Sequence, residues 1–287
     1  MEVTYHGVLS ALVASILWSI NAPLIKKFGG GINSVAFNAL RAATAIPLLF
    51  VFVLISGINI EITLAGLLFI FASAIIGPGI GDIAYIASIR RVGAGRAVTI
   101  GYTYVFISQI LATLLLGEKL SIQLIIGTIL ALLGVYLVYM EKTGENIPSE
   151  AKIIAIIPAI AWGIGSVVNK FALCYADPIS LSFIRVLISS SLLAFFVRNE
   201  FIKGIRTKRT LLAAFITGGL SYGIGIPLFL YAINVSGVSI IVLVTTLTPV
   251  LGRILSMIIA DEKVNLIGFA GTLTVVTGIA IGTYSSY

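Results

Sequence analysis

Few residues in this chain can do chemistry, and most of them sit inside apolar stretches. Asp82 is the one acidic residue deep within such a stretch, in the run Gly77-Pro78-Gly79-Ile80-Gly81-Asp82. A carboxylate there can couple transport to a proton, or act as counter-ion to a buried cation such as Arg253. It can equally bond backbone N–H groups freed at a helix break. Arg41 and Arg185 each lie seven residues into an apolar span. A guanidinium is a planar fork of donors suited to carboxylates. A shallow arginine can also snorkel to the boundary or bond loop carbonyls. The shared shallow place makes the structural reading the preferred one for this pair. Arg253 lies mid-span, where it either holds an anionic group in a central cavity or forms a buried pair.

Other chemistry is missing from the sequence. His6 is the single histidine and Cys174 the single cysteine, so no histidine triad, zinc cluster or internal disulfide is expected. No phosphate-binding Gly-x-x-x-x-Gly-Lys-Ser/Thr loop occurs, so ATP hydrolysis and bound cofactors are not expected. Gly79-Ile80-Gly81-Asp82 is similar to the Gly-x-Gly-Asp signature of intramembrane aspartyl proteases. That chemistry needs two carboxylates sharing a proton. Asp177 and Asp261 fall at span ends, so the likeness reads as coincidence and no enzyme is expected.

The elements that must position these residues are membrane helices. The chain is 59% hydrophobic and 10% charged, against about 25% charged in a soluble domain. Its mean hydropathy is +1.14. A net charge of +7 is scattered over loops, which speaks for membrane orientation and against nucleic-acid binding. A spanning helix needs about 20 mainly apolar residues. The expected spans are 7–26, 34–56, 63–89, 94–116 and 121–140, then 152–171, 178–198, 209–233, 238–260 and 264–284. The first span lacks a basic leader and has a copy at 152–171, so it reads as a mature helix rather than a signal peptide.

The second five spans repeat the first five. Shifted by 144 positions, Trp18 falls on Trp162, Lys26 on Lys170 and Arg41 on Arg185. Gly79, Gly81 and Gly93 fall on Gly223, Gly225 and Gly237, and Glu118-Lys119 on Glu262-Lys263. Gly127 and Gly134 fall on Gly271 and Gly278. An odd number of helices per copy makes the copies inverted in the membrane. The expectation is an all-α integral membrane protein, with residues 1–143 and 144–287 as two inverted five-helix repeats. Loop charge agrees: Arg90, Arg91 and Arg96 follow span three, while Lys203, Arg206, Lys208 and Arg209 follow span seven. Most Lys and Arg thus follow odd-numbered spans, which puts those loops in the cytoplasm and the termini outside.

The repeat also points to a site. The first Gly/Pro break is matched by Ser221-Tyr222-Gly223-Ile224-Gly225-Ile226-Pro227. Paired interruptions in corresponding spans are the best pointer to a transport site, where they line or gate the cavity. Packing kinks are the competing explanation. The helix-break set is therefore Gly77, Pro78, Gly79, Gly81, Gly223, Gly225 and Pro227. Trp18 and Trp162 lie too deep to be interfacial anchors. With Asn21, Asn169, Tyr85, Tyr102 and Tyr222 they suit a pocket of apolar walls and a few polar groups. Arg253 and the aligned Gln109 complete the expected set.

The segments LWSINAPLIKKF and AWGIGSVVNKFAL, with LLLGEKL and IIADEKV closing spans four and nine, resemble the EamA-type drug/metabolite transporters. Thr248-Pro249 matches that family's ninth helix; Tyr104-Val105 departs from the pattern in the fourth. The resemblance implies a secondary transporter of a small metabolite such as an amino acid, often exported. It implies pore-lining by helices three, four, eight and nine, which adds Thr246 and Thr248. It also implies cytoplasmic termini, against the loop charge, which is given the greater weight. The alternatives are a passive channel or facilitator and, further off, a membrane enzyme using Asp82. The expected partners are a small-molecule substrate, membrane lipid and protons as coupling ion, in a monomer or homodimer of the plasma membrane.

Overall fold

The computed structural model describes residues 4–61, 63–139, 149–259 and 266–284. These residues are helical apart from turns and one short antiparallel bridge between Ile60 and Ala176. In chain order the helices are α1 (Tyr5–Phe28), α2 (Ser34–Ser56), α3 (Leu64–Val92), α4 (Ala94–Gly101), α5 (Tyr104–Leu116) and α6 (Ile122–Tyr139). There follow α7 (Ser149–Ala172), α8 (Pro178–Phe196), α9 (Arg198–Arg206), α10 (Lys208–Ser236), α11 (Val238–Ile259) and α12 (Leu266–Tyr284).

Eight helices among the described residues are long and apolar enough to cross a membrane, and two shorter apolar ones lie at Tyr104–Leu116 and Ile122–Leu137. The expected fourth span, 94–116, is interrupted. Tyr102 and Thr103 form a tight turn between α4 and α5, with Thr103 Oγ1 bonded to Ile100 O at 2.7 Å. A matching interruption falls at Thr245 and Thr246 inside α11, where both hydroxyls turn back to backbone carbonyls. Large apolar side chains cover the outside, including Phe195 at 80% exposure and Leu266 at 87%. That is a surface for lipid, since water would be a poor solvent for it.

Caps start several helices. Asn33 Oδ1 accepts from Ala36 N at 2.8 Å before α2, and Asp177 Oδ1 accepts from Ile179 N and Ser180 N before α8. Both satisfy orphan N–H groups of the first turn. Gly93 and Gly237, at φ of 89° and 86°, join successive helices through a single residue, a conformation that costs glycine little. The second junction is gripped from both sides. Glu118 accepts from Val238 N at 2.7 Å and Ser239 N at 2.8 Å, at the positive start of α11. Lys170 Nζ donates to Ile233 O and Asn234 O at the end of α10. The equivalent Glu262-Lys263 pair, and Asp261, lie outside the described residues.

Helices α6 and α12 pack backbone to backbone, with Gly127 facing Gly278 and Gly134 facing Gly271. Only residues without side chains permit that approach. The 144-residue offset maps each of these contacts onto the other.

The two Gly-rich breaks are π-helical. Ile75–Gly81 in α3 and Gly219–Gly225 in α10 each hold seven residues in wide turns, and they correspond residue for residue. Such insertions concentrate at functional sites. Carbonyls of the widened turns take side-chain partners on other helices, in the case of Ser221 O beside the Ile226 N–H it already accepts. Asn38 Nδ2 donates to Pro78 O at 2.5 Å, and Trp18 Nε1 reaches Ser221 O at 3.5 Å. This is how a broken helix is tolerated at membrane depth.

Candidate functional site

The two widened turns face one cavity of about 90 Å³. Its wall draws on α1, α2, α3, α5, α7, α8 and α10 and on the α4–α5 turn. Among the expected residues, Trp18, Asn21, Gly77, Pro78 and Asp82 line it. So do Tyr85, Tyr102, Trp162, Asn169 and Tyr222.

Glycine at the breaks makes room for the tryptophans. A Cβ on Gly81 would stand 2.7 Å from the Trp162 indole, and one on Gly225 would strike the Trp18 indole. A Cβ on Gly77 would come within 2.8 Å of Arg185 Nη2. The other breaks carry less. A Cβ on Gly79 would meet Ala74 O at an ordinary 3.5 Å, and Gly223 faces only the flexible end of Leu48. Pro227 is buried just past the second break and does not line the cavity.

Among the described residues Asp82 is held by hydrogen bonds and not by an ion pair. Its Oδ1 accepts from Trp162 Nε1 at 2.8 Å, and its Oδ2 accepts from the Tyr222 hydroxyl. Tyr222 also reaches Asn38 Oδ1 at 2.8 Å. The same Asn38 oxygen accepts from Arg41 Nη1 at 3.2 Å, and the Arg41 guanidinium lies over the Tyr222 ring, 4.9 Å from its centroid. A network therefore runs from Arg41 through Asn38 and Tyr222 to Asp82 and Trp162. Aromatic rings close one wall: Tyr85, Tyr102 and Tyr104 surround Trp162 at centroid distances of 5.0, 6.0 and 6.1 Å.

Several expectations need correction. Arg41 and Arg185, read from sequence as shallow structural residues, are 2% and 4% exposed and stand in the cavity wall. Arg253 is buried but does not line the cavity, so the cations near Asp82 are the helix α2 and α8 arginines. Gln109 is also off the cavity. It ties three helices together, donating to Ser239 O and accepting from Thr128, each at 3.0 Å. Thr246 turns its hydroxyl to Leu243 O, and Thr248 turns its own to Ser15 O. Asn38 was not singled out in the sequence. It sits one helical turn before Arg41, and a polar residue at that spacing inside an apolar span was the available signal.

The pattern of an EamA-like transporter family matches residues 6–140 and again residues 150–284. The chain belongs to this EamA-like transporter family. As an EamA-like protein with several apolar spans, it is a multi-pass membrane protein. It is similar to an uncharacterized transporter of Archaeoglobus fulgidus, at 26% identity over 96% of each chain. It is also similar to a probable amino-acid metabolite efflux pump of Escherichia coli K12, at 21% identity over 97% of this chain and 94% of that one. A crystal structure of a protein with 17% identity superposes with a TM-score of 0.80, covering 98% of this chain and 97% of that one. That likeness speaks to the fold of the EamA-like chain alone.

Proposed function

We propose that this protein is a secondary transporter that exports a small metabolite, such as an amino acid, by alternating access. In this reading ten spans form two inverted halves, residues 1–143 and 144–287. Support comes from exchanged contacts. The Gly127–Gly278 and Gly134–Gly271 pairs interchange under the 144-residue offset, as do Trp18–Phe229 and Trp162–Tyr85. A pseudo-two-fold between the halves produces such exchanges, and transport sites sit at the repeat interface. The observation that carries the reading is the cavity itself: both halves build it, both broken helices face it, and Arg41, Arg185 and Asp82 line it. Broken helices, freed carbonyls and ionisable groups in one buried pocket are the parts of a site that binds and releases cargo. The efflux role of the Escherichia coli relative supports the direction and the cargo class.

Asp82 is the proton site in this scheme. Tyr222 has one hydroxyl proton and two acceptor oxygens within reach, Asp82 Oδ2 and Asn38 Oδ1. Asn38 Nδ2 is spent on Pro78 O, which fixes the amide so that Oδ1 accepts. A proton on Asp82 gives every group a partner: Asp82 donates to Tyr222, and Tyr222 donates to Asn38. Without it, one contact lacks a hydrogen. The network can thus register whether Asp82 carries a proton.

Reconstitution into liposomes tests this. Amino acids loaded inside should leave against their own gradient when a pH gradient is imposed. Equilibration without accumulation would mean a facilitator instead. No movement of any amino acid would overturn the transporter reading for this cargo class.

A further inference from the structure

We propose that Arg185 binds the carboxylate of the cargo, while its counterpart Arg41 is a structural residue. The inference rests on the transporter reading of the same cavity. Both arginines are more than nine-tenths buried, both line the cavity, and they correspond under the 144-residue offset. Their surroundings differ. Arg41 donates Nε to Thr217 Oγ1 and Nη1 to Asn38 Oδ1, each at 3.2 Å, and stacks on Tyr222. The residues at the matching positions near Arg185 are Ser73, Ser182 and Pro78. Ser182 Oγ turns back to Pro178 O at 2.6 Å, and Ser73 Oγ to Ile70 O at 2.8 Å. Proline offers no aromatic face. Arg185 keeps one long bond, Nη2 to Ser73 O at 3.4 Å, and its Nε and Nη1 have no hydrogen-bond partner.

A buried guanidinium with uncommitted donors is costly unless something anionic joins it. A carboxylate is the match in charge and geometry. With Asp82 ionised, the two arginines and Asp82 leave one net positive charge, which suits a single carboxylate group better than a phosphate dianion. Asn21 and Asn169 also line the cavity, and their buried side-chain oxygens have no hydrogen-bond partner. They offer acceptors to an ammonium group. The site therefore fits a small zwitterion held by its carboxylate at Arg185.

The test titrates the purified protein with L-alanine, L-leucine and L-phenylalanine and with their three amides, which lack the carboxylate. Wild type should prefer the acids. Arg185→Gln should lose acid affinity on the order of tenfold to a hundredfold while amide affinity holds, so the preference closes. If Arg185→Gln does not fold, Arg185→Lys decides by the same ratio, since it keeps the charge and loses the fork. Arg41→Gln should lower the melting temperature and keep the preference. The proposal is overturned if wild type binds acids and amides alike, if it binds none of the acids, or if the Arg185 variant keeps the acid preference. Acids that bind through Arg185 but do not cross liposome membranes would sink the transporter reading and leave this one standing. Amides transported as fast as acids would do the reverse.

Discussion

The neighbourhoods of Trp162 and Trp18 share a backbone and differ in chemistry. Each indole rests on a glycine in a π-helical turn, Gly81 for Trp162 and Gly225 for Trp18. Each packs against an aromatic ring at matching positions, Tyr85 at 5.0 Å and Phe229 at 5.2 Å. Around Trp162 stand Asp82, Tyr102 and Tyr104. The matching positions around Trp18 hold Ile226, Thr246 and Thr248. Shape is thus duplicated, while the carboxylate and the tyrosine pair stand on the Trp162 side alone. A symmetric frame can rock between two mirrored states, but a cargo with two different ends needs an asymmetric lining.

The largest effects should come from breaking what the two neighbourhoods share. Gly81→Leu and Gly225→Leu each drive a side chain into a partly buried indole, and overpacking of this kind costs about 1–3 kcal/mol or more. Both should abolish transport and lower the melting temperature to a similar extent. Gly79→Leu, where a Cβ finds ordinary contact, should be much milder in the same unfolding assay. Equal tolerance at all three positions would remove the steric account of the breaks.

Next comes a change to what they do not share. Asp82→Asn keeps the size of the side chain and fixes it neutral. Efflux driven by a pH gradient should vanish, while exchange between equal amino-acid pools survives because it moves no net proton. Gradient-driven flux equal to wild type would show that Asp82 is not the coupling site. A smaller difference separates Trp162→Phe from Trp18→Phe. Both lose the same ring volume, but only Trp162 gives a 2.8 Å bond to a carboxylate, against 3.5 Å to a backbone carbonyl for Trp18. The Trp162 variant should be less stable than the Trp18 variant by about 1–2 kcal/mol in thermal unfolding.

Much of this was legible in the sequence because the repeat marks it. Trp18, Trp162 and the glycine pairs stand out since duplication keeps them in register, and the broken helices carry Gly and Pro that no regular span needs. Asp82 stood out because a carboxylate is costly in lipid. Side-chain direction was not legible. Arg253 and Gln109 sit mid-span, as deep as any cavity residue, yet they lie away from the cavity. Depth along a helix does not say which way a residue faces. Arg41 and Arg185 read as shallow for the same reason: both lie near a span end, and only packing shows that they are buried in the cavity wall. The interruptions at Tyr102–Thr103 and Thr245–Thr246 left no Gly/Pro signature like that of α3 and α10, because their threonine hydroxyls can close the turns.

The smallest expected effect tests why two equivalent arginines behave differently. Asn38 and Ser182 each stand three residues before their arginine, on the same turn of matching helices. If Asn38 is what occupies Arg41, then Ser182→Asn should supply Arg185 with a similar partner. Its carboxamide oxygen would compete with an incoming carboxylate, and acid affinity should fall about threefold to tenfold, consistent with one neutral hydrogen bond of about 1 kcal/mol. Stability should hold or rise slightly, because a buried donor gains an acceptor. Asn38→Ser should do the opposite at Arg41: it strands donors of Arg41 and removes an acceptor of Tyr222, so the melting temperature should fall. Calorimetric titration of both variants with L-leucine, beside their melting curves, separates the two arginines. If Ser182→Asn leaves acid affinity untouched while its melting temperature rises, the new amide reaches Arg185 without blocking the cargo. The asymmetry between Asn38 and Ser182 then serves stability and not selection.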